Sequence, residues 1–131
     1  MTGTDPPGQS PGPACPGPSR ILVVDDERDL ADLAEALLCA HGMEVHVAYC
    51  ADEALLILES DPKVDALFSD VMMPGMTGLQ LADTVRQRYP SIRILLTTGF
   101  ALPKLLVNHG HPHACIAKPY KIDTVLALLR G

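Results

Sequence analysis

The chain has 131 residues, of which 47% are hydrophobic and 20% charged, with a formal charge of −6. That length suits one domain with one core, burying about two-thirds of the surface its unfolded chain exposes, and leaves no room for a second folded domain. The negative balance, with no basic stripe, speaks against sequence-independent attraction to nucleic acid or to an anionic membrane surface.

The four cysteines, Cys15, Cys39, Cys50 and Cys115, lie far apart with no C-x-x-C pair, so neither a zinc site nor a disulfide framework is expected. A reducing cytoplasm is the simplest setting. Residues 1–19 hold six prolines and four glycines and contain no apolar run that could serve as a signal-peptide core or a membrane span. They read as a disordered leader, which places the domain at residues 20–131.

From Arg20 onward, short apolar runs alternate with segments of helical period. That alternation predicts an α/β fold, a five-stranded parallel sheet with helices on both faces. The first strand is Ile21-Leu22-Val23-Val24. The helix after it carries Leu30, Leu33, Ala34, Leu37 and Leu38 on one side and stops at Gly42. A second strand around Val45 and Val47 leads to a helix near Asp52 to Glu59, and a third, Ala66-Leu67-Phe68, runs into Ser69-Asp70. After a loop from Val71 to Met76, Thr77 can cap a helix with Leu79, Ala82 and Val85 inward, closed by Pro90. The fourth strand is Ile92 to Thr97. Pro103 to Gly110 suits a helix of only about two turns, short enough to be mobile. A fifth strand, near Ala114 to Ala117, precedes Lys118-Pro119, and the last helix offers Ile122, Val125, Leu126 and Leu129 for burial.

In an open parallel sheet the strands' carboxyl ends form the ligand edge. The unusual polar residues sit there: Asp25 and Asp26 after strand one, Asp70 ending strand three, Thr97 and Thr98 ending strand four, Lys118 ending strand five. Taken singly each has a plain structural explanation, a helix-opening acid or a turn residue, and only their joint placement argues for chemistry. If strands one and three are neighbours, three carboxylates converge, and like charges that close require a cation. An all-oxygen set with few protein ligands suits Mg²⁺, which keeps several of its waters. A hard divalent ion, a lysine ammonium and a threonine hydroxyl together suit a phosphoryl group, with Asp70 as its nucleophile.

Four segments carry a family resemblance: Ile21-Leu22-Val23-Val24-Asp25-Asp26-Glu27, Ser69-Asp70-Val71-Met72-Met73-Pro74-Gly75-Met76-Thr77-Gly78, Leu96-Thr97-Thr98-Gly99, and Ala117-Lys118-Pro119-Tyr120. In this order they resemble the receiver domains of response regulators in two-component phosphorelays, the CheY-like superfamily, across residues 20–131. The resemblance implies a flavodoxin-like sheet of order 2-1-3-4-5 and an aspartyl phosphate on Asp70. The donor it implies is a sensor histidine kinase or a phosphotransfer protein. It makes Asp26 a direct Mg²⁺ ligand, Asp25 a ligand through water, and Asp70 and the Met72 backbone carbonyl further ligands. Thr98 and Lys118 would hold the phosphoryl oxygens, and the Lys118–Pro119 bond would be cis, with Thr97 left as strand core.

The chain departs from the family at Cys115, where a switching Tyr or Phe is usual. Its short fourth helix suggests that the output face switches by ordering. Met72 and Phe100, flanking the path of an attacking water, cannot orient it, which predicts slow loss of phosphate. The reading is of a phosphoacceptor that promotes its own Mg²⁺-dependent phosphorylation and dephosphorylation. It is not an enzyme with a separate substrate, and with no output domain expected here its effect would pass to a downstream protein target.

Two rivals fare worse. A haloacid-dehalogenase-type phosphatase would need a second Asp two residues after the first-strand nucleophile, whereas Glu27 and Arg28 follow Asp26. A purely docking receiver would not need all of Asp25, Asp26, Asp70, Thr98 and Lys118. His109, His111 and His113 would share a face if extended and could then take a transition metal, but Gly110 and Pro112 favour an ordinary loop.

Overall fold

The computed structural model describes residues 20–98, 114–118 and 120–130. The leader at 1–19, the short helix expected from Pro103 to Gly110, Phe100, the histidines at 109, 111 and 113, and Pro119 with its peptide bond all lie outside the described residues.

The elements in chain order are β1 (Arg20–Val24), α1 (Arg28–Ala40), β2 (Glu44–Ala48), α2 (Ala51–Ser60), β3 (Ala66–Asp70), α3 (Gly78–Arg88), β4 (Arg93–Thr98), β5 (Ala114–Ala117) and α4 (Ile122–Arg130). The strands form one sheet of order β2-β1-β3-β4-β5, and every pairing is parallel. The expected α/β class and strand order both hold. β1 and β3 lie inside the sheet with helices over both faces, which is why their sequences are apolar at odd and even positions alike.

Alternation along each strand sorts the core into two layers. Ile21, Val23, Ala66, Phe68 and Leu95 face Ala31, Ala34 and Leu38 of α1 and Val125, Leu126 and Leu129 of α4. On the other face, Leu22, Val24, Ala48 and Leu67 meet Ala51, Ala54 and Leu58 of α2 and Leu81 and Val85 of α3. Leu96 packs with Val71 and Ala82 beside that layer.

Leu33, expected inward, is instead 55% exposed. The buried stripe of α1 runs Ala31, Ala34, Leu38. Leu33 stands two residues past Ala31, roughly 200° round the helix, so the small alanines make the closest approach to the sheet while Leu30 and Leu37 flank them. In α3 the centre of the stripe is Leu81, with Leu79 only half-buried. β4 begins and ends one residue later than expected, at Arg93 and Thr98.

Two boundaries have clear local causes. Gly42 follows α1 with φ of +86°, and the Met43 N–H closes back onto the Leu38 carbonyl at 3.2 Å, so a glycine suits the left-handed turn. At α3 the Thr77 hydroxyl accepts from the Gln80 N–H at 3.2 Å, while the Gln80 side chain accepts from the Thr77 N–H at 2.9 Å. This reciprocal cap fixes where α3 starts, eight residues after Asp70.

Candidate functional site

The carboxyl ends of β1, β3, β4 and β5 bring the predicted polar residues to one edge. Asp25, Asp26 and Asp70 each offer a carboxylate oxygen within 4.8 Å of the others. Asp25 and Asp70 are buried, and Asp26 is exposed. The Lys118 ammonium donates to Asp25 Oδ2 at 3.1 Å and lies 3.6 Å from Asp70 Oδ2. Asp25 is held from two further directions: its Oδ1 accepts the Glu27 N–H at 2.9 Å, and its own N–H donates to the Ala48 carbonyl.

Three carboxylates against one ammonium leave an excess of negative charge in a low-dielectric edge. Burial pushes the Asp70 carboxyl up to about 6, and Asp25 and Asp26 push the same way, against the opposing pull of Lys118 and of the Met72 N–H. Lys118 shows the complement. Burial disfavours its charge, yet Asp70 and the hydrogen bond to Asp25 more than offset this, and its pKa is raised. Such a site gains from a hard cation, and oxygen donors alone at this spacing suit Mg²⁺.

The backbone that aims Asp70 is held tightly. The Val71 N–H donates to the Thr97 carbonyl at 2.9 Å, and the Gly78 N–H donates to the Val71 carbonyl at 2.9 Å. A Cβ at Gly78 would fall 2.1 Å from the Asp70 carbonyl oxygen, so the first turn of α3 seats against β3 only without a side chain there. Gly78 closes the Ser69–Gly78 segment, where the sequence alone gives it no role. The signal that could have found it was a glycine inside an otherwise good cap, which propensity alone does not favour.

Thr98 is buried at the end of β4, and its carbonyl accepts the Lys118 N–H at 2.8 Å. The Met72 side chain is 49% exposed, whereas Met73 is buried under α2 and α3. Cys115 stands opposite Leu96, half-buried against Val71, Ala82 and Leu96, and burial pushes its thiol up. Tyr120, two residues past Lys118, packs edge-on against Phe68 with ring centroids 5.2 Å apart, a contact that periodicity does not show.

A family model of the response regulator receiver domain matches residues 21–130. The chain belongs to the response regulator receiver family. This receiver domain is 34% identical over 114 residues to the transcriptional regulatory protein CpxR of Klebsiella pneumoniae, covering 86% of the chain and 48% of that protein. It therefore spans about half the length of that curated relative. Among solved structures it resembles the signal receiver domain of an HD domain-containing protein from Pseudomonas fluorescens, with 30% identity, a TM-score of 0.76, and coverage of 86% of this chain and 92% of the other. It also resembles the response regulator TrrA from Thermotoga maritima in complex with Mg²⁺ and BeF, at 30% identity and TM-score 0.71, covering 82% and 92%. The receiver is a signalling module of two-component systems, and among its described residues no helix is long and apolar enough to cross a membrane.

Proposed function

We propose that the chain accepts a phosphoryl group from the phosphohistidine of a sensor histidine kinase or of a phosphotransfer protein onto Asp70, and that this changes the surface it offers to a downstream protein. The observation that carries the reading is the convergence of Asp25, Asp26 and Asp70 within 4.8 Å beside the Lys118 ammonium. Asp25, Asp26, Asp70 and the Met72 backbone carbonyl would hold Mg²⁺, Asp25 through a water. When bound, the ion supplies positive charge that lets the carboxylates coexist and offsets charge on the phosphoryl oxygens.

In the transfer, a carboxylate oxygen of Asp70 bonds to phosphorus as the phosphorus–nitrogen bond of the donor histidine breaks, the imidazole keeping the electron pair and taking a proton. The backbone bonds at Val71 and Gly78 keep the Asp70 carboxylate aimed along the edge. Lys118 and the Thr98 hydroxyl meet the phosphoryl oxygens. The domain thus promotes its own phosphorylation and later hydrolysis and turns over no separate substrate. The charge of −6 fits protein partners and a cytoplasmic setting, without nucleic acid or a membrane surface.

The test is to incubate the chain with acetyl phosphate, with and without Mg²⁺, and to compare intact masses of the wild type and Asp70→Asn. Gain of one phosphate that needs Mg²⁺ and vanishes in the variant is the expected result. No gain in the wild type, or equal gain in the variant, would overturn the reading and favour a docking module that never carries phosphate.

A further inference from the structure

Thr97 lies in the strand core beside Thr98, but its hydroxyl sets it apart. The residue is 4% exposed, and among the described residues its Oγ1 is the one buried side-chain polar atom with no hydrogen-bond partner. A hydroxyl taken out of water and left unpaired costs free energy that a valine of the same shape would not. Residues in such a position call for an explanation in what the site does.

Its position supplies one. Thr97 is in register with Asp70 on one side and with Ile116 on the other. Side chains alternate along a strand, so Thr97 continues the face that carries Leu95, just as Asp70 continues that of Phe68, Asp25 that of Val23, and Lys118 that of Ile116. All four polar residues thus share the face lined by α1 and α4, and Thr97 stands beside Asp70 and just below Lys118. Thr98, by the same alternation, follows Leu96 toward α3. The two threonines of β4 therefore serve opposite faces of the sheet, and only one of them continues the face of the phosphoacceptor.

Asp70 is short of donors on that side. The Met72 N–H bonds to it, while the Lys118 ammonium lies nearer Asp25, at 3.1 Å against 3.6 Å. Once Lys118 turns to an incoming phosphoryl group, the Asp70 carboxyl loses part of the compensation it has at rest. A threonine hydroxyl can supply it by rotating about one bond.

We propose that Thr97 is a positioning residue of the phosphoacceptor site, its hydroxyl donating to an Asp70 carboxyl oxygen as the phosphoryl group is taken up and so holding the carboxylate plane in line for attack. The inference rests on the receiver reading and adds a second hydroxyl to it, distinct in face and role from that of Thr98.

The test compares wild type, Thr97→Val and Thr97→Ser in the full chain. It follows initial phosphorylation by acetyl phosphate with Mg²⁺ through intact mass, alongside thermal melting. Thr97→Val is expected to slow phosphorylation roughly ten- to a hundredfold, as misplacement of a reacting group does. Its melting temperature should equal or exceed that of the wild type, because an unpaired hydroxyl has been removed, and Thr97→Ser should stay within about twofold of the wild-type rate. Thr97→Ala serves as the hydroxyl-free variant should valine not fold. A hydroxyl-free variant as fast as the wild type would overturn this proposal alone, and so would a serine variant as slow as valine. A wild type that takes no phosphate at all would overturn the receiver reading, and this inference with it.

Discussion

Lys118 and Asp25, 93 residues apart in the chain, are joined by a 3.1 Å hydrogen bond that links the ends of β5 and β1 across β4 and β3. The lysine therefore hydrogen-bonds a carboxylate other than the proposed phosphoacceptor, and with Asp70 Oδ2 3.6 Å away it acts as the internal counterion of an acidic cluster. Lys118→Ala should leave Asp25 and Asp70 buried without a cation and destabilise the metal-free protein by about 1–3 kcal/mol. Saturating Mg²⁺ should recover much of that loss. Urea unfolding with and without Mg²⁺ measures both, and a variant as stable as the wild type in chelator would contradict the counterion role. Phosphorylation should fall by about a hundredfold, the usual consequence of removing one donor to a developing oxyanion.

The pH dependence of the metal-free protein follows from Asp70. Its carboxyl titrates from an ordinary 3.8 when unfolded to about 6 when folded, so folding favours the protonated form. The stabilisation this gives is complete below the unfolded value and is lost as pH rises from there through about 6. Asp70→Asn, which cannot charge, should therefore be more stable than the wild type at pH 7 without metal. The gain should be up to about 2 kcal/mol after discounting for solvent screening at an edge site, and it should vanish near pH 4. Paired urea titrations at the two pH values in chelator check the sign, and added Mg²⁺ should abolish the advantage.

At the opposite edge of the sheet the sign reverses. Asp61 lies 2.8 Å from His46 Nε2, accepts the Lys63 N–H at 3.0 Å, and is bonded by Arg20, which also pairs with Glu44. The hydrogen bond with His46 contributes most, followed by the Lys63 N–H and Arg20, and together they hold the Asp61 carboxyl at about 2 against its ordinary 3.8. A depressed carboxyl stabilises the fold above its unfolded value, and that contribution fades as pH falls from 3.8 toward 2. Acid titration followed by circular dichroism should show Asp61→Asn losing this part of the transition while unfolding otherwise as the wild type does.

Gly78 offers a steric prediction. Its missing Cβ lies where the Asp70 carbonyl oxygen would be 2.1 Å away, and the atoms it would meet are all backbone of Asp70 and Val71, with nothing flexible to yield. Gly78→Ala should cost about 2–3 kcal/mol and slow phosphorylation, since the relief must come from moving the first turn of α3 or the end of β3. Gly75 is the control: it has open space around it but a φ of +77°, so Gly75→Ala should cost about 1 kcal/mol from backbone strain alone. Equal costs at the two sites would contradict the close-approach argument.

How much of this was legible beforehand depended on the kind of interaction. The alternation of apolar runs and helical segments specifies a parallel sheet, because such strands are covered on both faces, and the polar strand ends then fall on one edge whatever the details of packing. Thr77 was readable as a cap because the cap is local. The exposure of Leu33 is not legible from periodicity because alanine and leucine weigh alike as apolar, while the closest approach to the sheet is made by the small Ala31 and Ala34. The fit of Gly78 against Asp70 and the ring of Tyr120 on Phe68 are contacts between different elements, and the unpaired hydroxyl of Thr97 is the lack of one; no spacing within a single element encodes them.

On the proposed function, the lifetime of the phosphorylated state should turn on a residue with little to offer water. Met72, two residues past Asp70, is 49% exposed, and on the proposed reading its thioether would stand where hydrolysis of an aspartyl phosphate needs an incoming water to be oriented in line with phosphorus. A thioether has no proton to give and accepts hydrogen bonds only weakly, so the water gains no fixed partner there. The wild type, once phosphorylated and freed of acetyl phosphate, should lose its phosphate slowly. Met72→Asn, which supplies an amide at the same exposed position without touching the buried core, should shorten the lifetime by about tenfold, at the low end of what an oriented polar group contributes to such a step. The decay of the phosphorylated mass over time measures both. A wild-type phosphate lost within seconds, or one no longer lived than in Met72→Asn, would mean that water is oriented by some other group.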